Sequence, residues 1–549
     1  MTEVHSANGG KQRETTQDAL EKAVSEREID IQALRRTSDR IPLASWIIIF
    51  IEFCERFAFR GGVITFINYV RFPPNLKNQA GALGKGQTTA YALKQVFAFM
   101  CYIWPLFLGI LCDQYWGKYR TIMFCCFVFG IGWTLLTLTS IPPSLEAGVG
   151  FPGYIISIII IACGSGGIKS FVQPMAADQF QQDTMKIKEV KGELVVIDPE
   201  INARQVYHWF MGVMQLGSLV GGVISPQIEH RVGFWVCYLF PAVLTIASTS
   251  MFFICRNRYH KVPPSGDSAV VKLYKCFKYG YGRYKHSVPK PESILDCSKD
   301  NGPLGVPPES MADREAKTWD DEFVENAKET LRACKILIPT TLWALGSNQV
   351  TSSLVSQASS MSRPTGIPND IMFNFNSFFV IVLVPILMYI VYPYLERHNI
   401  EFRPMKRMVV GFILGALAMM SSAIAQNEIV KHSKQGLPQI SVWWQLPTYF
   451  LMALSEILVM VTPLEYCYTR TPQSMKGLVS ALSLLPQAVA TAIDLALSSV
   501  SQEVWMYGSF AILNAVTGVL FWYFYGHYDK IDEELAQSRM NIACTNEKN

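Results

Sequence analysis

Four ionisable side chains stand within nine residues of an otherwise apolar run: Glu52, Glu55, Arg56 and Arg60 in EFCERFAFRGG, inside LASWIIIFIEFCERFAFRGGVITFINYV. On an α-helix these positions share one face, within about 140 degrees of arc. Acid and base held side by side can exchange a salt bridge for a proton, since a carboxylate stripped of its cation protonates more readily. Two lone charges extend the pattern. Lys169 follows Gly164, Gly166 and Gly167 in ACGSGGIKSFVQPMAADQF, and Glu456 is the only charge at membrane depth in FLMALSEILVMVTPLEYCY. Small residues let helices approach closely, which can bring the Lys169 ammonium near the axis of a bundle. An ammonium in the first half and a carboxylate in the second suit each other, or a ligand with one carboxylate and one ammonium. This is the chemistry of binding and proton exchange. No nucleophile with a base partner stands out, so an enzyme is not expected. The thirteen cysteines show neither CxxC nor Cys/His metal spacing, so no disulfide framework, metal or cofactor is called for.

The element that carries such charges must first be identified. Half of the 549 residues are hydrophobic and only 17% are charged, whereas soluble domains carry about a quarter. The chain therefore reads as an all-α membrane protein. Apolar runs near bilayer-spanning length recur around 43–70, 90–112, 121–141, 152–175, 206–226 and 233–255, and again around 336–357, 371–394, 408–425, 442–464, 478–500 and 503–526. These are twelve transmembrane helices in two six-helix bundles, 43–255 and 336–526. Residues 1–42 and 527–549 read as cytoplasmic tails, the first disordered. Residues 256–335 read as a mobile, Pro- and Gly-containing cytoplasmic linker with one amphipathic helix, DREAKTWDDEFVENAKETLRACK. Lys and Arg concentrate on the side of both tails and the linker, which places both termini in the cytoplasm. The same asymmetry accounts for the net charge of +4, and nucleic acid need not be invoked. Each ionised side chain near mid-bilayer costs about 2.5–3.5 kcal/mol. The four in the first span thus demand partners, protonation or a water-filled cavity. A structural knot of Glu–Arg pairs and a functional cavity wall both remain open at this level.

Longer motifs add a resemblance. GILCDQYWGKYRT, with Gly109, Asp113, Gly117, Lys118 and Arg120 between spans 2 and 3, resembles the cytoplasmic loop motif of the major facilitator superfamily. EFCERFAFRGG resembles the signature ExxERFxYYG of the proton-dependent oligopeptide transporter (POT/PTR2) family. GSGGIKSFVQPMAADQF, FMGVMQLGSLVGG and LSEILVMVTPLEYCYTRTPQSMKG are similar to further motifs of that family in the same order, so the resemblance covers roughly 43–526 and is closest to fungal peptide transporters. It implies a major facilitator fold and proton coupling by Glu52, Glu55 and Arg56. It also implies substrate binding by Arg56, Lys169, Gln215 and Glu456, with Lys169 and Arg56 drawing the peptide carboxylate and Glu456 its amino group; Arg60, which breaks the signature, is a candidate substrate-binding residue on its charge alone.

The departures carry their own expectations. Phe59 and Arg60 stand where the family has Tyr-Tyr, Val63 where many members carry Arg, and Ser347 or Asn348 where span 7 often holds an acid. The last two suggest that an outer gate pair is missing. Phe171, Met211 and Met460 also replace polar or small family residues. Either Arg60 pairs with Glu52 or Glu55 and the pocket takes ordinary peptides, or it stays free and favours anionic solutes. The expected function is a proton-coupled symporter importing di- and tripeptides by alternating access, acting as a monomer in the plasma membrane. The alternatives are a proton-coupled transporter of another small anionic or zwitterionic solute (nitrate, an acidic peptide, a carboxylated metabolite) and a non-transporting nutrient receptor.

Overall fold

A computed structural model describes residues 36–37, 40–74, 80–180, 186–190, 193–197, 199–264, 266, 268–287, 293–300, 318–364, 368–398, 402–472, 475–497 and 503–529. Among them the first bundle consists of α1 (Leu43–Arg71), α2 (Gln87–Leu111), α3 (Gly117–Thr139), α4 (Gly150–Asp178), α5 (Pro199–Arg231) and α6 (Phe234–Ile254). The second consists of α7 (Thr340–Val350), α8 (Asn374–Ile386), α9 (Pro404–Gln435), α10 (Leu446–Glu456), α11 (Lys476–Leu497) and α12 (Glu503–Tyr525). Among the described residues nine stretches are apolar and long enough to cross a membrane, and one of these, Gln87–Thr139, holds both α2 and α3. The two remaining helices depart from that pattern for separate reasons: α1 carries its four charges, and α7 is broken.

The break in α7 was not expected from the continuous run 336–357. It falls at Thr351 and Ser352, after which Ser353–Ser359 resumes the helix. The Thr351 and Ser352 hydroxyls both donate to the Asn348 carbonyl, at 3.2 and 2.8 Å. Such local side-chain bonds compete with the helical ladder. Two other irregularities have a proline behind them. One π-turn, Leu387–Val391, carries α8 into Tyr392–Arg397, and another, Ile457–Val461, carries α10 into Thr462–Arg470. Pro393 and Pro463 follow two residues later and have no N–H for the i→i−4 bond, so the preceding turn widens. The second of these wide turns begins directly after Glu456.

Each bundle has its own core. The first is dense in aromatics, with Phe66, Tyr69, Trp133, Tyr154 and Tyr238 all fully buried; the second is built around Trp343, Met408, Phe412, Tyr449 and Tyr507. Within the first, α1 packs on α5 and α6 and α3 packs between α4 and α6; within the second, α9 packs on α10 and α12. The bundles meet along two seams, α2 against α11 and α5 against α8.

The described part of the 6–7 connection is folded, contrary to the reading of a mobile linker. Helix Ala269–Lys285, the turn Ile294–Ser298 and helix Asp321–Cys334 share a small core of Cys276, Leu295, Trp319 and Val324. The last helix starts later than the sequence suggested because the Asp320 side chain caps it, accepting from the Phe323 amide at 3.1 Å. A second small cluster, Ala327 with Met475 and Leu478, fixes this layer to the start of α11. A three-stranded sheet outside the bundles also escaped the sequence reading: β1 (Arg36–Thr37), β2 (Lys186–Val190) and β3 (Glu193–Ile197), with β3 central, parallel to β1 and antiparallel to β2.

Candidate functional site

The charged face of α1 turns inward. Glu52 and Glu55 are buried, and both use the same nitrogen of Arg56: its Nε lies 2.6 Å from Glu52 Oε1 and 3.2 Å from Glu55 Oε2. Ser165 of α4 donates to Glu55 Oε1 at 2.6 Å. Neither Glu52 Oε2 nor Glu55 Oε2 has a hydrogen-bond partner among the described residues. Two buried carboxylates therefore share one guanidinium. The arrangement depends on close helix contact: a Cβ on Gly217 of α5 would stand 2.7 Å from the Phe53 carbonyl oxygen and 3.2 Å from Arg56 Cβ.

Arg60, one turn on, pairs with neither Glu52 nor Glu55. Its guanidinium sits 5.0 Å over the ring of Phe373, at the start of α8 in the other bundle. Glu456 accepts from Asn376 Nδ2 at 2.9 Å. Lys169 and Glu456 form no ion pair with each other among the described residues. Instead the Lys169 ammonium lies 3.2 Å from the centroid of Phe59, in a cation–π contact. Phe59, one of the departures from the signature, thus holds a cation on its ring. Gln215 is half-buried on α5 and forms no side-chain hydrogen bond among the described residues.

The 2–3 loop works as a brace. Lys118 pairs with Asp178 at the end of α4, at 2.6 Å, so its partner comes from the DQF of the Lys169 motif. Gly117 has φ +72°, a region that favours glycine. By contrast a Cβ on Gly109 would meet no atom within 4 Å. Asp113 presents its backbone carbonyl to the Gly266 amide of the linker at 3.2 Å, and Arg120 is exposed.

Several polar contacts escaped the sequence reading. Asp494 of α11 is buried and accepts from Asn348 Nδ2 and Gln349 Nε2 at 2.7 and 3.2 Å, directly before the α7 break. A lone acid in an apolar run was the available signal. At the end where α1 finishes, the side chains of Asn68 and Asn369 exchange hydrogen bonds at 3.1 and 3.3 Å, and Asn68 also donates to Glu229 at 3.1 Å. Arg71 donates to Ser356, and Asn374 Nδ2 to the Gly222 carbonyl at 2.6 Å. The two bundles are pinned together there by amides, where the sequence indicated only a missing ion pair.

Comparisons with known proteins agree with this architecture. A family model described as the POT family matches residues 119–513. The chain is 34% identical to Peptide transporter PTR_C of Candidozyma auris over 523 residues, covering 92% of this chain and 88% of that protein. It is 32% identical to the Probable peptide transporter ptr2 of Schizosaccharomyces pombe, covering 93% and 82%. Among solved structures it resembles an auto inhibited POT family peptide transporter, with TM-score 0.69 and 21% identity over 87% of this chain and 96% of that one, a likeness of fold. The aligned relatives reach back over the charged face of α1, which the family model does not include. The chain belongs to the POT family of membrane transporters, with the major facilitator fold.

Proposed function

We propose that the chain is a proton-coupled symporter that imports small peptides, with bundles 43–255 and 336–526 rocking about a site between them. The observation that carries this reading is the shared guanidinium: Glu52 and Glu55 compete for the one Nε of Arg56, and neither Glu52 Oε2 nor Glu55 Oε2 accepts a hydrogen bond among the described residues. A proton on either acid frees the guanidinium for the other acid or for a substrate carboxylate. Protonation and substrate binding are then linked through one side chain. Lys169 and Arg60 supply positive charge for the peptide's C-terminal carboxylate, Glu456 receives its amino group, and Gln215 offers a side-chain amide to the peptide backbone. With both termini and the linker on the cytoplasmic side of the plasma membrane, the pinned end is the outer one and the conformer is closed outward. The transporter works as a monomer in this reading. It is supported by the relatives of 32–34% identity whose names describe peptide transporters.

Proteoliposomes loaded at neutral pH and given an inward proton gradient should accumulate a labelled dipeptide. Failure to accumulate any member of a broad peptide panel, with uptake of an anionic solute instead, would sink the peptide assignment. Arg60 favours a second reading, a preference for acidic peptides, because it has no ion-pair partner within 4 Å among the described residues and lies over the ring of Phe373 in the other bundle. In competition assays, Arg60→Gln should weaken inhibition by acidic dipeptides relative to neutral ones by about tenfold, the worth of one charge-assisted hydrogen bond. An unchanged ranking would leave Arg60 a structural residue.

A further inference from the structure

Helix Ala269–Lys285 of the linker has one face spent on the protein and one left bare. Its inner face is occupied. Ala269, Val270 and Leu273 pack against the cluster around Met475 and Leu478. Cys276 lies in the linker core, and its carbonyl accepts from Ser298 Oγ at 2.8 Å. Arg283 reaches back to the Cys297 and Lys299 carbonyls at 2.8 and 3.2 Å. The outer face carries Tyr274, Phe277 and Tyr281, exposed by 66%, 47% and 56%, with the last two rings stacked at 6.5 Å. Their spacing of three and four residues puts them on one stripe. Lys275, Lys278 and Lys285 border that stripe and are exposed as well, and no acidic residue occurs between Ala269 and Lys285.

An aromatic stripe flanked only by cations is what a helix at a membrane interface requires: rings for the acyl boundary and ammonium groups for phosphate. The depth agrees. The segment entering the helix is tied to the end of α2 by the Gly266–Asp113 bond, and its packing partners Met475 and Leu478 stand at the beginning of α11. Both anchors stand at helix ends, Asp113 two residues after α2 and Met475 one residue before α11. We propose that Ala269–Lys285 is an interfacial helix whose Tyr274/Phe277/Tyr281 stripe and three lysines bind the anionic phospholipid headgroups of the adjacent leaflet. Attached to the first bundle through the 2–3 loop and to the second through α11, it would set the layer between them on the lipid surface.

The test uses the full chain in nanodiscs of phosphatidylcholine, with and without phosphatidylserine, and in detergent, followed by amide exchange over 269–285. Exchange should be slowed in the anionic discs relative to the neutral ones. That protection should fall about fivefold for each of Lys275, Lys278 and Lys285 replaced by Gln and should return with Arg at the same positions. Phe277→Ser should lower protection in both kinds of disc, as loss of a ring from the acyl boundary would. Equal protection in neutral and anionic discs would overturn the proposal. So would equal protection in detergent, which would mean that protein covers the stripe, from this chain or a second copy.

Discussion

Arg56 is the residue whose loss the α1 cluster tolerates least, because it serves two acids at once. Arg56→Gln leaves two buried carboxylates without their cation and should destabilise the protein by about 3–5 kcal/mol. Glu52→Gln leaves the Arg56–Glu55 pair in place and should cost only about 1 kcal/mol. Thermal unfolding in detergent checks the order, and equal midpoints for the two variants would mean that the trio is not a unit. In transport, Glu55→Gln should abolish gradient-driven accumulation while equilibrium exchange of peptide across the vesicle membrane persists. Loss of both would assign Glu55 a binding role only. The existence of this cluster was legible in the sequence, since charges on one helical face at membrane depth must be satisfied by one another or by a polar cavity. The destination of Arg60 was not. Helical periodicity gives the direction of a side chain from its own axis, but the ring that receives Arg60 belongs to Phe373 in the other bundle, more than three hundred positions away.

The contact between α1 and α5 rests on a glycine placed opposite Arg56. Gly217→Val inserts a branched side chain where even a Cβ would meet the Phe53 carbonyl oxygen at 2.7 Å, and overpacking of this kind costs about 1–3 kcal/mol. Gly212, five residues earlier on the same helix, has nothing within 4 Å of a Cβ, so Gly212→Ala should leave the unfolding midpoint unchanged or raise it. A similar loss at both positions would mean that the close approach at Gly217 does not set it apart from Gly212. Hydropathy located most of the membrane helices in the sequence because a span needs about twenty apolar residues whatever it packs against. What it could not locate were features set by a few polar atoms. The α7 break depends on the hydroxyls of Thr351 and Ser352, and the amides beside it on Asp494 of another helix. The described part of the linker escaped for a related reason: its order comes from Cys276, Leu295, Trp319 and Val324 meeting from three separate segments, whereas most of the Pro- and Gly-rich stretch DNGPLGVPPES lies outside the described residues.

A transporter that rocks must hold each state weakly enough to leave it, and the pinned end of this molecule fits that demand. The bundles are joined there by neutral amide contacts, Asn68 with Asn369 and Asn374 with the Gly222 carbonyl, together with the Arg71–Ser356 bond. Each such bond is worth about 0.5–1.5 kcal/mol net, so losing the reciprocal Asn68–Asn369 pair should shift the balance between states by about tenfold or more. The double variant Asn68→Ala/Asn369→Ala should therefore populate a conformer parted at this end. Val232, after α5, and Leu437, after α9, are exposed there on opposite bundles. Cysteines introduced at these two positions should take spin labels ahead of the described native cysteines, which are buried or half-buried. Their distance distribution should gain a longer component in the double variant. Each single variant should show most of that gain, because either one removes both bonds of the pair and their effects will not add. A distribution identical to that of the unmutated labelled protein would mean that the closed end is held by Arg71, Asn374 and apolar packing without the asparagine pair.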